Sequence, residues 1–173
     1  TPLSETWTNW TDGGTGTKEI VGEIGDPVEG RINIAKWHSG ADTLNYSISS
    51  DEDTIEVWVC FENNNVNHIV GITLICAVHF AADGNIDFIG SGVDNDTDII
   101  AYAASTWYHV KLSYKKNDTC TLRIDKEDGT NLCTSTVTGM NYSGSQVVFT
   151  NAGAAEDFFI SALGVCDEGY EVN

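Results

Sequence analysis

The chain has 173 residues, which is enough for one domain with a sizeable core, and we expect residues 1–173 to form a single β-sandwich domain. Its net charge of -18, with only eight Lys and Arg, repels phosphate backbones and anionic lipid headgroups, which argues against nucleic acid or an anionic membrane surface as a partner. No run of eighteen apolar residues is present, so no membrane insertion is expected.

Short strands separated by turns rich in Gly, Asn and Asp follow one another along the first half of the chain. They are predicted at 18–24, 30–37, 44–49 and 54–61, after an aromatic arm at 7–10. In the segment 54–61, Ile55, Val57, Val59 and Phe61 share one face, and Glu56, Trp58 and Cys60 share the other. Bulky residues on both faces are typical of a central strand.

The second half continues with an apolar run at 69–80, treated as extended, and strands at 86–89, 99–103, 146–150 and 158–165. Between them, residues 106–129 alternate in polarity through two strands and an Asp-Gly turn, which predicts an antiparallel meander. Val110, Leu112 and Tyr114 fall on one face of it, as do Leu122 and Ile124. A meander with one dry face must pack on a second sheet, so the fold class is all-β.

Four segments in this order resemble the laminin G-like, concanavalin A-like jelly roll: 54–59 (TIEVWV), 80–86 (FAADGNI), 105–114 (STWYHVKLSY) and 122–125 (LRID) with its Asp128-Gly129 turn. The resemblance spans roughly residues 50 to 165 and implies an antiparallel β-sandwich of jelly-roll type. This superfold hosts lectins, adhesion modules, hydrolases and lyases, so the resemblance supports the fold rather than one function.

An acidic segment before the central strand suggests one enzymatic hypothesis. Asp51, Asp53 and Glu56 have spacings similar to the Glu-x-Asp-x-x-Glu of laminarinase-type glycosidases, although the first position is Asp. Retaining hydrolysis needs two carboxyl groups about 5 Å apart. The alternative interpretation is an acidic turn that leads into a core strand.

A second acidic segment suggests calcium as a cofactor. Asp94, Asp96 and Asp98 stand at alternate positions, and calcium takes six to eight oxygen ligands, often from such loops. The complete EF-hand pattern is absent, but laminin G-like modules often bind one calcium at a sandwich rim. The alternative is a solvated acidic turn.

Cysteines and sequons indicate the compartment. Cys120 and Cys133 flank the Asp-Gly turn, so a hairpin predicts a cross-strand disulfide between them, with two buried free thiols as the alternative. Five Asn-X-Ser/Thr sequons occur, at Asn9, Asn45, Asn95, Asn117 and Asn141. Glycosylation requires a secreted or surface route, so we expect an extracellular or cell-surface protein.

No catalytic constellation is complete, and the four histidines are scattered without metal-binding spacing. Six aromatics lie near predicted loops or strand ends: Trp7, Trp10, Trp37, Tyr102, Tyr142 and Tyr170. Most of them are expected to pack in the core or at the sandwich edge, and one or two are candidates for a sugar platform. The sequence therefore predicts a non-enzymatic module that binds glycan or builds an extracellular assembly from copies of itself, with the arm at 7–10 as a donated segment. A glycoside hydrolase or polysaccharide lyase is the alternative.

Overall fold

The computed structural model describes residues 10–12, 17–21, 34–38, 42–47, 52–72, 76–90, 95–114, 119–138, 146–152 and 156–167. The β-strands in these ranges are β1 (Trp10–Asp12), β2 (Thr17–Val21), β3 (Ile34–His38), β4 (Asp42–Ser47), β5 (Glu52–Phe61), β6 (His68–Ile72), β7 (Cys76–Phe80), β8 (Asn85–Gly90), β9 (Asn95–Ala101), β10 (Trp107–Tyr114), β11 (Thr119–Lys126), β12 (Asn131–Thr138), β13 (Gln146–Asn151) and β14 (Asp157–Asp167). Within the same ranges, no helix is long and apolar enough to cross a membrane.

The strands form two antiparallel sheets that pack face to face. The first, here called the β5 sheet, has the order β12-β11-β10-β5-β14-β3-β2. The second, the β6 sheet, has the order β1-β4-β13-β6-β7-β8-β9. One hydrophobic core contains buried side chains from both sheets. The predicted fold class, an all-β antiparallel sandwich of jelly-roll type, is confirmed.

Alternation along β5 builds the centre of this core. Val57, Val59 and Phe61 are fully buried, and β5 pairs with β10 on one side and with β14 on the other. The predicted meander is also confirmed, since Val110 of β10 pairs with Ile124 of β11 and both are buried. Each such aliphatic side chain stabilises the fold by roughly 1.5–3 kcal/mol through its removal from water.

The apolar run at 69–80 differs from the expectation of one extended segment, because it contains parts of two paired strands. β6 and β7 form an antiparallel hairpin in which Val70 lies opposite Val78. Gly71 allows the close approach: a Cβ atom built there would lie 2.6 Å from the carbonyl oxygen of Cys76 and 2.9 Å from the Cα of Ala77.

The Asn-rich turn after β5 carries the chain from one sheet to the other and does not close a hairpin. The ring of Phe61, at the end of β5, stacks on the ring of His68, at the start of β6, with 4.4 Å between the ring centroids. Tyr102 lies beside them, 5% exposed, and its hydroxyl donates a hydrogen bond to the carbonyl of Ala81. Tyr102, one of the six aromatic candidates, is therefore a core residue and not part of an exposed platform.

We expect Gly71→Ala to lower the free energy of unfolding by about 1–3 kcal/mol, because the added methyl group meets backbone atoms that cannot rotate away. Urea denaturation measures the change. Gly164→Ala is the matched control, since its nearest new neighbour is the Glu56 carbonyl oxygen at 4.0 Å. Equal stability of the two variants would contradict the close approach of β6 and β7.

His68 makes the stability of the fold depend on pH. Burial lowers the pKa of His68 to about 4, and the neighbouring Asn63 backbone and Asn151 side chain, which act to raise it, offset this only in part. In the unfolded chain the His68 side chain binds a proton near pH 6.5, whereas in the folded chain it does so only near pH 4. The free energy of unfolding is therefore highest above pH 6.5 and decreases by up to about 3 kcal/mol as the pH falls toward 4. Thermal unfolding between pH 7 and pH 4 should show this loss, and His68→Gln should flatten it. His79→Gln is the control, which should retain most of the slope. An identical slope in wild type and His68→Gln would exclude this assignment.

Candidate functional site

The outer face of the β5 sheet, which faces away from the core, carries the most unusual group of side chains among the described residues. An outer face is normally solvated and polar. Here Glu56 and Cys60 of β5 are each 7% exposed, and Trp107 of β10 is 5% exposed. Large and charged groups are thus packed on the side of the sheet where water is expected.

The ladder register arranges these side chains in three neighbouring rows across the strands. The aromatic row contains Phe159, Cys60 and Trp107; the stacked row contains Ser161, Trp58, His109 and Asp125; the charged row contains Gly164, Glu56, Lys111 and Arg123. Residues two apart on a strand lie on the same face, so the rows are adjacent. The face passes from apolar to charged within the length of about four residues, roughly 13 Å.

Trp58 and His109 form the centre of the site. Their rings stack with 4.9 Å between the centroids and an interplanar angle of 18°. Trp58 is partly buried and packs against the pair formed by Cys60 and Trp107. On its other side the neighbour in the ladder is Ser161, a small residue, so no large side chain of β14 stands opposite the indole.

His109 is an uncharged ring at neutral pH. Burial lowers its pKa; the carboxylates of Glu56 and Asp125 act in the opposite direction, and the cations of Lys111 and Arg123 lower the pKa further. The 3.6 Å contact between His109 Nε2 and Glu56 Oε2 is therefore not an ion pair at neutral pH. A neutral imidazole can donate one hydrogen bond and accept another.

Glu56 is a buried carboxylate with incomplete hydrogen bonding. Lys111 Nζ lies 3.0 Å from Oε1 and supplies a neutralising charge. The approach lacks hydrogen-bond geometry, so Oε1 is buried without a hydrogen-bond donor. A buried acceptor in this state is costly unless a further donor reaches it.

Asp125 is fully engaged by its neighbours. Arg123 Nε donates to both of its carboxylate oxygens, at 3.0 and 2.8 Å, and Asn131 Nδ2 donates to Oδ1 at 3.0 Å. Burial acts to raise the pKa of Asp125, but the hydrogen bonds from Arg123 and Asn131 outweigh it, and the pKa is lowered. Asp125 is thus held as an anion and fixes the direction of the Arg123 guanidinium.

The three residues of the enzymatic hypothesis are not all described. Asp51 and the side chain of Asp53 lie outside the described residues. Glu56 lies on a strand, beside Trp58, and not on a turn. The nearest described carboxylate in the rows, Asp125, is two strands away and one row along, which places its Cα about 12 Å from that of Glu56. The catalytic role of these residues stays a prediction.

Two of the three predicted calcium ligands lie in an edge strand. Asp94 lies outside the described residues, and Asp96 and Asp98 belong to β9. Asp96 Oδ2 accepts a hydrogen bond from Ser135 at 2.8 Å, and Asp98 Oδ1 accepts one from Asn85 at 3.2 Å. In the part of the chain that is described, no three His, Cys, Asp or Glu residues are grouped to hold a metal ion. Calcium binding stays a prediction.

Two of the five sequons can be placed. Asn45 lies in β4, between Thr11 of β1 and Val148 of β13. Asn95 is exposed at the first position of β9, and its Oδ1 accepts a hydrogen bond from the Gly90 amide. Asn9, Asn117 and Asn141 lie outside the described residues. Their glycosylation stays a prediction.

The predicted Cys120–Cys133 disulfide does not fit the strand register. Cys120 pairs with Val137, and Cys133 pairs with Ile124. The two thiols therefore stand four residues apart along the hairpin, about 13 Å, beyond the reach of one bond. Both are free and buried. The prediction was wrong because Cys120 lies farther from the turn than Cys133 does. The β-bulge beside Asp125 shifts the register but does not bring the two cysteines opposite each other.

The predicted exposed aromatics did not include the residues at this site. Trp7, Tyr142 and Tyr170 lie outside the described residues, and only the backbone is described for Trp10 and Trp37. Trp58 was placed on the outer face of a central strand, but the sequence did not indicate His109 and Lys111 as its neighbours. The available signal was the alternation in 54–61, which puts Glu56, Trp58 and Cys60 on one face.

No protein-family model and no curated protein matches this chain. Among solved structures, the receptor-binding domain of botulinum neurotoxin mosaic serotype C/D is similar with a TM-score of 0.60 and 13% identity, over 90% of this chain and 41% of that one. A structure of botulinum neurotoxin type C, whose cell entry is dependent upon interaction with two ganglioside molecules, gives 0.59 and 9%, over 90% and 42%. A protein of unknown function from Shewanella oneidensis MR-1 gives 0.56 and 14%, over 90% and 79%.

These similarities establish a shared β-sandwich fold. The chain spans about two-fifths of the length of the two toxin structures, so their binding properties do not locate a site on it. The rows on the outer face of the β5 sheet are defined by this chain's own residues.

We expect a double-mutant cycle of Glu56→Gln and Lys111→Met to give a coupling free energy of about 1–3 kcal/mol, because each single change leaves the buried Glu56 or the half-buried Lys111 without its counter-charge. Chemical denaturation of the two single variants and the double variant measures it. The pair Arg123–Asp125, in which the Arg is well exposed, is the matched control and should couple more weakly. A coupling of zero between Glu56 and Lys111 would show that the two charges act independently.

Proposed function

We propose that this chain is a non-enzymatic glycan-binding module that acts outside the cell, with the outer face of the β5 sheet as its binding surface. The observation that supports it most directly is the partly exposed Trp58, stacked on His109 between an aromatic row and a charged row. Sugars bind to proteins through aromatic stacking against their CH faces and through polar groups that orient their hydroxyls.

The geometry supports each part of this chemistry. Trp58 stacks on His109 and stays partly exposed, so part of the indole is accessible to a ligand from the solvent side. The ion pair between Glu56 and Lys111 lies in the row next to Trp58 and gives this edge of the surface a polar character. Lys111 and the Arg123 guanidinium are donors in the same row.

The fold similarity is consistent with this proposal. The type C neurotoxin depends on ganglioside molecules for cell entry, and a sandwich of the same fold forms part of that structure. The sequon at Asn95 supports an extracellular location, because this Asn is exposed at the first position of β9, where a glycan could be attached.

The alternative of a structural assembly has less support. It depends on the arm at 7–10 as a donated segment, but Trp10 pairs with Tyr46 of β4 within the same chain. The alternative of a carbohydrate-active enzyme is favoured by one observation, the position of Glu56 beside Trp58. It is opposed by the contact with Lys111, whose ammonium nitrogen lies 3.0 Å from Glu56 Oε1 and gives this side chain a structural partner.

We expect the protein to bind on a printed array of neutral and sialylated glycans, and Trp58→Ala to weaken binding of the strongest array hit at least tenfold, since buried Trp contacts dominate binding energy. Titration calorimetry measures the affinity. Thr136→Ala, on the same face but two strands beyond β10, is the control and should bind as wild type.

Two outcomes would contradict the proposal. One is equal affinity of wild type and Trp58→Ala with an unchanged unfolding curve. The other is release of reducing ends from the bound glycan that Glu56→Gln abolishes, which would establish the enzymatic alternative instead.

A further inference from the structure

Two cysteines of the core, Cys76 and Cys120, come from opposite sheets. Cys76 is the first residue of β7 in the β6 sheet and is 3% exposed. Cys120 is the second residue of β11 in the β5 sheet and is fully buried. Both belong to the same hydrophobic cluster.

The register places both cysteines at the same end of the sandwich. The stack of Phe61 on His68 marks the opposite end, where β5 and β6 face each other. Cys76 pairs with Ile72, the last residue of β6, and Cys120 pairs with Tyr114, the last residue of β10. Since β6 and β10 both begin near the Phe61 end, their last residues lie together at the far end.

The two side chains lie near each other across the interface between the sheets. Burial raises the pKa of Cys76 well above its ordinary value, and the nearby side chain of Cys120 adds to this effect. The other described thiols are elsewhere. Cys60 faces away from the core, and Cys133 is four residues along the hairpin from Cys120.

We infer that Cys76 and Cys120 form a disulfide that joins the two sheets, made during folding by exchange with a small disulfide donor such as oxidised glutathione. Two S–H bonds break and one S–S bond forms between the cysteines. The two electrons and two protons pass to the donor, whose own S–S bond is reduced to two thiols. This inference does not depend on the proposed glycan-binding function.

The strand positions allow the bond to close. Disulfides need a Cα separation of about 4.4–6.8 Å, which is less than the roughly 10 Å between facing sheets. Cys76 and Cys120 each lie where a strand begins, so the approach requires movement of two strand ends and not of the sheet centres. The residues between them form a loop of about 45 residues, whose closure restricts the unfolded chain.

The folded state protects the reduced pair from exchange. Exchange requires a thiolate, and the raised pKa of Cys76 keeps its thiol protonated at neutral pH. Oxidation is therefore expected before the sheets close, while both thiols still meet solvent. Once formed, the bond is buried in the core and resists small reductants.

The test is oxidative refolding of the reduced, urea-unfolded full chain in a buffer of reduced and oxidised glutathione. Digestion without reductant and mass spectrometry should identify one peptide containing Cys76 linked to one containing Cys120. The thermal midpoint of this protein should exceed that of protein refolded with a phosphine reductant by roughly 10 °C. Cys133→Ala, the matched control, should retain both results, and Cys120→Ala should lose both.

Recovery of Cys76 and Cys120 as alkylated thiols after redox equilibration would overturn the inference. Linkage of either residue to a different cysteine would overturn it as well. If Cys120→Ala does not fold, the peptide map of the wild-type chain decides the question without it.

Discussion

The alternation of side chains along β5, fixed by its pairing with β10 and β14, is the constraint on which both the core and the candidate site depend. Val57 and Val59 enter the core because Glu56 and Trp58 point away from it. A shift of one residue in either ladder would exchange these sets and bury a carboxylate among aliphatic side chains. The cost of burying an unpaired charge makes that register inaccessible.

Much of this sheet could be predicted because its signal is local. Residues 54–61 and 106–126 alternate clearly between apolar and polar positions, and one face of each is dry. The run at 69–80 carries no such signal, since Ile69 and Ala77 on the outer face are also apolar. For the turn at 63–67, a sequence does not reveal whether it joins neighbours in one sheet or crosses to the other.

The candidate site was mostly invisible in the sequence for a different reason. Trp58 and His109 are about fifty residues apart, and only the β5–β10 ladder makes them neighbours. The acidic segment 51–56 suggested catalysis from its spacing alone. Glu56 in fact forms an ion pair with Lys111, which lies on another strand. The cysteines follow the same pattern. Cys120 and Cys133 are close in sequence but are separated by the strand register. The neighbour of Cys120 is Cys76, which is distant in sequence.

The irregularity in β14 has a physical connection to the site. Between Ser161 and Gly164, β14 has one residue more than the segment of β5 opposite it, from Trp58 to Glu56, and Ala162 in this bulge has a φ of 57°. A left-handed conformation is unfavourable for Ala, and such strain persists only where surrounding contacts enforce it. Here the bulge leaves Ser161 and Gly164, two small residues, beside Trp58 and Glu56. A regular strand would continue the alternation with Leu163 opposite Glu56, which would place a branched apolar side chain in the charged row.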